Sequence, residues 1–178
     1  NATMSSSLGL NVHGWVDDAL WFSRGGMVFQ ANLQNPTLIY LRRHEILAAI
    51  RNLYNDFVSC YYPDVNVFTE EYRQWRSPSG PFYKVPDEAR FVNRLRDLLV
   101  REDGEELWLL CGTPRRWLSA GQSIRLDRMP TNFGPVSLEI SAREHEIAGS
   151  VNLPSRNKFA TAWLALRLPE GKKTMSVE

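Results

Sequence analysis

The spacing of the apolar residues changes near residue 103, from a helical repeat to a two-residue repeat. After His44, they recur every three or four positions, which places them on one face of a helix. These residues are Ile46, Leu47, Ile50, Leu53, Tyr54, Phe57 and Val58. After Asp103-Gly104, apolar and polar residues alternate as in half-buried strands, most clearly around Val136, Leu138 and Ile140. A helical half is therefore joined to a strand-rich half.

Capping and turn residues divide the first half into about four predicted helices. The first helix spans 15–23 and is ended by Gly25-Gly26. The second spans 35–61; Asn35-Pro36 begins it, a break is expected around Arg43-His44, and Pro63 stops it. The third spans 69–75, and the last begins at Pro86. In the second half, strands are predicted near 107–110, 122–126, 134–142, 145–153 and 160–168, with one turn of helix at 113–118 and a hairpin turn at Glu144-His145.

These elements predict an α+β fold. A layer of about four helices would pack on a C-terminal antiparallel β-sandwich or curved sheet of about five strands. The predicted divisions are a disordered or tag-derived segment at 1–10, a helical subdomain at 11–103, an antiparallel β subdomain at 104–170 and a frayed tail at 171–178.

The charges of the chain nearly cancel, because 21 Lys and Arg residues face 20 Asp and Glu residues. A net charge of +1 gives no electrostatic attraction to nucleic acid or to an anionic membrane. The sequence has no secretory-signal pattern and no apolar run near the roughly 20 residues of a membrane span. A soluble chain is therefore expected, and its compartment is left unassigned. Cys60 and Cys111 lack a metal or redox spacing, which favours buried thiols over a disulfide without excluding one.

Glu70 and Glu71 are the candidate catalytic residues. Two carboxylates can act as acid and as base or nucleophile in glycoside hydrolysis. Adjacent residues on a helix point about 100° apart, however, so both seldom reach the same bond. Thr69 followed by two acids is also an ordinary helix start. Both interpretations stay open, and enzymatic activity is left unassigned.

Aromatic residues between 68 and 83 are mixed with charged residues, which suggests a ligand-binding rim. Flat rings with polar edges stack on the apolar faces of sugars and line small-molecule clefts. The alternative interpretation is that the rings fill gaps between helices. The candidate ligand-binding residues are Tyr72, Arg73, Trp75, Phe82 and Tyr83.

The motifs that announce other enzyme classes are missing from the sequence. His13, His44 and His145 have neither metal-ligand spacing nor an HExxH relation, so no metal site is expected. Gly25-Gly26 has neither the dinucleotide-binding nor the P-loop pattern, and no serine lies in a GxSxG motif. The sequence therefore predicts no cofactor.

One stretch resembles a known family of proteins. It comprises ELWLLCGTPRRWL at 106–118, GQSI at 121–124 and PTNFGPVS at 130–137, with GPFYK at 80–84, DEA at 87–89 and LLVREDG at 98–104 upstream. This stretch resembles the closing segment of bacterial six-hairpin glycosidases and their uncharacterised relatives. In that family, the last helices of an (α/α)6 toroid lead into a C-terminal antiparallel β-sandwich.

The resemblance implies the C-terminal portion of a carbohydrate-active, glycoside-hydrolase-like protein. A full toroid has about twelve helices of ordinary length, which this chain cannot supply, so full activity alone is not expected. A saccharide is the expected partner, and neither nucleic acid nor a membrane span is expected. The alternative is a structural or interaction domain whose helical face docks to a missing N-terminal region or to a second copy.

Overall fold

The computed structural model describes residues 21–23, 27–29, 36–68, 71–73, 77–79, 85–154 and 159–175. The chain divides into two compact units, Asn1–Asp97 and Leu98–Glu178. Each unit has its own sheets, and each is described by itself below.

The first unit contains a four-stranded sheet that the helical periodicity did not predict. Its strands are β1 (Trp21–Ser23), β2 (Met27–Phe29), β5 (Glu71–Arg73) and β6 (Ser77–Ser79), in the order β1-β2-β5-β6 with antiparallel neighbours. The expected helices at 15–23 and 69–75 are therefore wrong where the structure describes them; residues 15–20, 69–70 and 74–75 lie outside the described part. A glycine pair between two short aromatic-rich runs is a hairpin signal, and that signal outweighs the helical spacing here.

Two helices of the first unit confirm the sequence prediction closely. They are α1 (Pro36–Arg42) and α2 (Ile46–Cys60), and the expected break falls between them. His44 has a positive φ of 57°, a conformation that a continuous helix does not allow. The buried hydroxyl of Thr37 donates a 2.6 Å hydrogen bond to the side-chain oxygen of Asn52, which links the two helices.

Beyond α2, a small hairpin and a third helix complete the first unit. The hairpin pairs β3 (Tyr61–Tyr62) with β4 (Val67–Phe68), and α3 spans Val85–Leu99, its last two residues lying in the second unit. The rings of Phe68 and Phe91 stack with their centroids 4.5 Å apart. A side-chain oxygen of Glu88 accepts a 3.2 Å hydrogen bond from the amide of Phe68.

A buried cation also lies on α3. Arg94 is fully buried, and burial lowers the pKa of its guanidinium to about 10, against the opposing influence of the Asp97 carboxylate. Burial has this effect because a low-polarity interior disfavours the charged form.

The predicted helical layer of about four helices on a β-sandwich is therefore wrong. The described residues of the first unit form helices together with six short strands. Strands of two or three residues are too short to display a period, and their partners elsewhere in the chain determine their conformation.

The second unit contains two three-stranded sheets. One is antiparallel, in the order β11 (Ile147–Asn152), β10 (Val136–Ala142), β9 (Ser123–Met129). The other has the order β12 (Thr161–Leu164), β8 (Glu106–Leu109), β7 (Val100–Asp103); β7 is antiparallel to β8, and β12 is parallel to it. Strands β8 to β12 and the hairpin at Glu144-His145 were predicted, whereas β7 and the parallel pair were not.

Both sheets contribute to one apolar core. The inward residues of β10 alternate with outward ones, as the two-residue repeat predicts. A 3-10 helix, Arg115–Leu118, confirms the predicted helical turn and adds Leu118 to the core. The buried core residues are Val100, Leu107, Leu109, Leu110, Leu118, Ile124, Leu126, Phe133, Val136, Leu138 and Ile140.

Candidate functional site

Three side chains form a row across the second sheet of the second unit. The register places Arg101 of β7 opposite Trp108 of β8, and Trp108 opposite Trp163 of β12. The neighbouring positions Leu107 and Leu109 belong to the buried core, so strand alternation turns Trp108 to the other face of the sheet. We call this row the tryptophan face.

The geometry of the tryptophan face is that of stacked rings capped by a cation. The indoles of Trp108 and Trp163 lie 5.5 Å apart between centroids with an interplanar angle of 25°. The guanidinium carbon of Arg101 lies 5.2 Å from the Trp108 ring centroid, within the range of a cation–π interaction. Arg101 is buried, whereas Trp163 is 46% exposed, so one end of the row is closed and the other is open.

Carboxylates from the adjacent row flank the rings. Glu106 accepts a 3.0 Å hydrogen bond from the indole N–H of Trp108, which fixes the orientation of that ring. Asp103 lies opposite Glu106 in the register and forms a 3.0 Å ion pair with Arg101. The side chain of Asp103 is 40% exposed, so its carboxylate also borders solvent.

This arrangement is suited to binding a ligand that has an apolar face and hydroxyl groups at its edge. An exposed indole offers a flat apolar surface, and carboxylates accept hydrogen bonds from hydroxyls. The stacked partner ring and the hydrogen bond from Trp108 to Glu106 hold the surface in place before a ligand arrives. Pre-ordering of this kind lowers the entropic cost of binding.

The structure places only part of the site that the sequence predicted. Glu71, Tyr72 and Arg73 form β5, in the interior of the four-stranded sheet of the first unit. The helix start expected at Thr69 to Glu71 is therefore wrong at position 71, because a strand begins there. The other four candidates, Glu70, Trp75, Phe82 and Tyr83, lie outside the described residues, and the roles of all seven stay predictions.

Phe68 is the first ring of the predicted aromatic segment, and it fills a gap between structural elements instead of lining a ligand site. Its ring is buried and packs against Phe57, Tyr61 and Phe91. One ring of that segment therefore fills a gap between elements of the first unit.

Sequence reasoning missed Trp108 and Trp163, because the runs that contain them were interpreted only as strands, with no role for the two indoles. A signal was available at β8, where Glu106 and Trp108 alternate with two leucines. That alternation places a carboxylate and an indole on the face opposite the core. The partnership with Trp163 depends on a parallel register that no local pattern reveals.

A second exposed surface lies on the helices of the first unit. Leu47 and Tyr54 are seven residues apart on α2, and Leu47 is 74% exposed. Val85 and Val92 have the same separation on α3, and Val92 is 62% exposed. Residues seven apart lie on one face of a helix, so each helix presents an apolar stripe.

Among the described residues, no three His, Cys, Asp or Glu side chains are grouped so that they could hold a metal ion. Within the same residues, every helix is too short or too polar to cross a bilayer. Comparisons with protein-family models, with curated proteins and with solved structures find no match to this chain.

Proposed function

We propose that this chain is the C-terminal portion of a carbohydrate-active, glycoside-hydrolase-like protein and that its tryptophan face binds a saccharide. The observation that carries the proposal is the stacked pair of Trp108 and Trp163, with Trp163 nearly half exposed. The carboxylates of Glu106 and Asp103 lie in the same sheet, Glu106 on the strand next to Trp163 and Asp103 on the strand beyond it. The resemblance of 106–137 to six-hairpin glycosidases supports the same class of ligand. The role of the chain is binding or supporting a saccharide site, without full activity of its own.

In this proposal, each group of the face has a separate task. The Trp163 indole covers the C–H face of a sugar ring, since aromatic stacking gains free energy beyond simple area burial. The Asp103 carboxylate, two strands from Trp163 in the same sheet, accepts hydrogen bonds from hydroxyls of a further sugar residue of the saccharide. Arg101 and Glu106 are positioning residues, because they hold Trp108 through the cation–π contact and the indole hydrogen bond.

Substituting Trp163→Ala is expected to weaken saccharide binding at least about tenfold, a loss of roughly 1.4 kcal/mol. The substitution removes the exposed ring but leaves unchanged Ala162, the residue of β12 that packs against the core. The measurement is a glycan-array screen of the full chain, followed by calorimetric titration of the best neutral or acidic oligosaccharide.

The matched control is Leu164→Ala, which removes an equally exposed apolar side chain from the other face of the same strand. This variant is expected to bind as the original chain does. The proposal fails if no saccharide on the array binds the full chain, or if Trp163→Ala binds with unchanged affinity.

The second candidate function is docking to a protein partner or to a second copy, and the exposed stripes on α2 and α3 favour it. Large exposed apolar groups at helical spacing are typical of surfaces that a binding partner covers.

If this function holds, light scattering will give a mass above that of one chain, and Leu47→Glu will lower the mass to that of one chain. Arg51→Glu, also exposed on α2, is the control for the added acidic charge. If the measured mass is that of one chain at every protein concentration, self-association is excluded.

A further inference from the structure

Two arginines from distant parts of the second unit are each hydrogen-bonded beside the other where the chain leaves β12. Arg115 opens the 3-10 helix, and Arg167 lies three residues beyond the end of β12. We propose that these two guanidinium groups form a binding site for an oxyanion, that is, a carboxylate, sulfate or phosphate group. The site is separate from the tryptophan face and does not depend on the function proposed for that face.

The two arginines are held together by reciprocal hydrogen bonds to the backbone. Arg115 donates from Nη1 to the carbonyl oxygen of Leu168, the residue after Arg167. Arg167 donates from Nη1 to the carbonyl oxygen of Thr113 at 2.9 Å, two residues before Arg115. Each side chain is therefore anchored beside the segment that carries the other, and the pair is ordered before any ligand binds.

The positive charge of this pair is not neutralised by the described part of the chain. Among those residues, no carboxylate lies within ion-pair distance of either guanidinium, and each makes one hydrogen bond. Most of the N–H donors of both groups therefore stay available, in the planar fork that matches an oxyanion.

The pKa of Arg167 lies below the ordinary value of an arginine. Burial lowers it, and the nearby charge of Arg115 lowers it further, while Cys111 acts in the opposite direction. Two like charges held close together destabilise each other, so the charged pair is less favourable than two isolated arginines. A bound anion would reverse that effect, because its negative charge favours the charged form of both.

The chemistry favours an oxyanion over other anions. Guanidinium groups bind carboxylate, sulfate and phosphate through two parallel N–H···O bonds, which gives shape as well as charge selectivity. A spherical halide offers no such geometry. Arg115 is exposed and Arg167 half-buried, so an anion can reach the pair from solvent.

The test is a calorimetric titration of the full chain with sodium sulfate at constant ionic strength maintained with sodium chloride. We expect saturable binding of sulfate, and at least about tenfold weaker binding by Arg115→Gln and by Arg167→Gln, because each removes a charged hydrogen-bond partner. Thermal unfolding of the same variants gives a second readout. Sulfate should raise the unfolding temperature of the original chain more than that of either variant.

The control is Arg125→Gln, which removes one positive charge from an exposed position of β9 in the same unit. Sulfate also stabilises proteins generally because it is excluded from their surface, and this control measures that contribution. Equal sulfate responses in all three variants and the original chain would overturn the proposal. The proposal would also be overturned if each arginine variant unfolds below the original chain by the same number of degrees with and without sulfate, since the arginines would then have only a structural role.

Three further titrations, with glucuronate, glucose and phosphate, separate the sources of the oxyanion. Glucuronate carries a carboxylate on a sugar, whereas glucose lacks the carboxylate. Binding of glucuronate but not of glucose, lost in Arg115→Gln, would support the site and assign an acidic sugar to it. Binding of sulfate and phosphate without glucuronate would support the site and assign an inorganic or phosphorylated ligand. Binding of none of them would refute the proposal.

Discussion

Substituting Gly149→Ala is expected to lower the free energy of unfolding of the second unit by about 3 kcal/mol or more. A Cβ atom at this position would lie 2.1 Å from the carbonyl oxygen of Glu139 and 2.9 Å from the Cα of Ile140. Both are backbone atoms of β10, so no side-chain rotation can relieve the clash. The two strands would have to separate, although they pair over six residues and β10 also pairs with β9.

Denaturant unfolding followed by circular dichroism measures this effect. The matched control is Ser150→Ala, which changes the next residue of β11 at an exposed position and introduces no new atom. We expect that variant to stay within about 0.5 kcal/mol of the original chain. A loss below 1 kcal/mol for Gly149→Ala would show that β10 and β11 do not approach as closely as the register indicates.

The elements that the sequence predicted well are those long enough to display a period. Helix α2 contains four turns of apolar residues, and the positive φ of His44 explains the break before it. Strand β10 alternates buried and outward residues over seven positions. In both cases the local pattern was sufficient to predict the element. The packing agrees fully only for β10, because Leu47 and Tyr54 of the predicted helical face are exposed.

The elements that it missed are short strands, and their conformation is set by pairing with other strands rather than by a repeat of their own. Val28 of β2 pairs with Arg73 of β5, and three-residue strands carry no usable alternation. Strand β7 follows α3 directly, without the glycine or proline that would mark a helix end. Its pairing with β8 across the turn at Gly104, which has a positive φ of 60°, decides the conformation.

The tryptophan face could not be predicted from the sequence, because it too depends on strand pairing. Trp108 and Trp163 are joined by a parallel register, and a parallel pairing has no short turn to announce it. Likewise, Arg115 and Arg167 are far apart in the sequence, and only the reciprocal hydrogen bonds bring the segments that carry them together. Local patterns can place a residue on a face, but they do not identify which two faces meet.

Substituting Leu138→Ala is expected to lower the free energy of unfolding of the second unit by about 2–5 kcal/mol. Leu138 lies in the middle of β10, between Leu126 of β9 and Val151 of β11, and its side chain is almost fully buried. Removing it takes away buried apolar contacts and leaves a cavity. The surrounding strands cannot close such a cavity completely, because β10 is hydrogen-bonded on both edges.

Leu153→Ala provides the control, since it makes the same chemical change just after β11 at a residue that is 41% exposed. It should cost less than about 1 kcal/mol, because less apolar surface is removed from the interior. The denaturant midpoints of the two variants give this comparison directly, provided that the slope of the unfolding free energy against denaturant concentration is unchanged. If the two losses were equal, β10 would not be the centre of the core. The tryptophan face would then lose its rigid support, because the leucines that alternate with Trp108 on β8 pack into that same core.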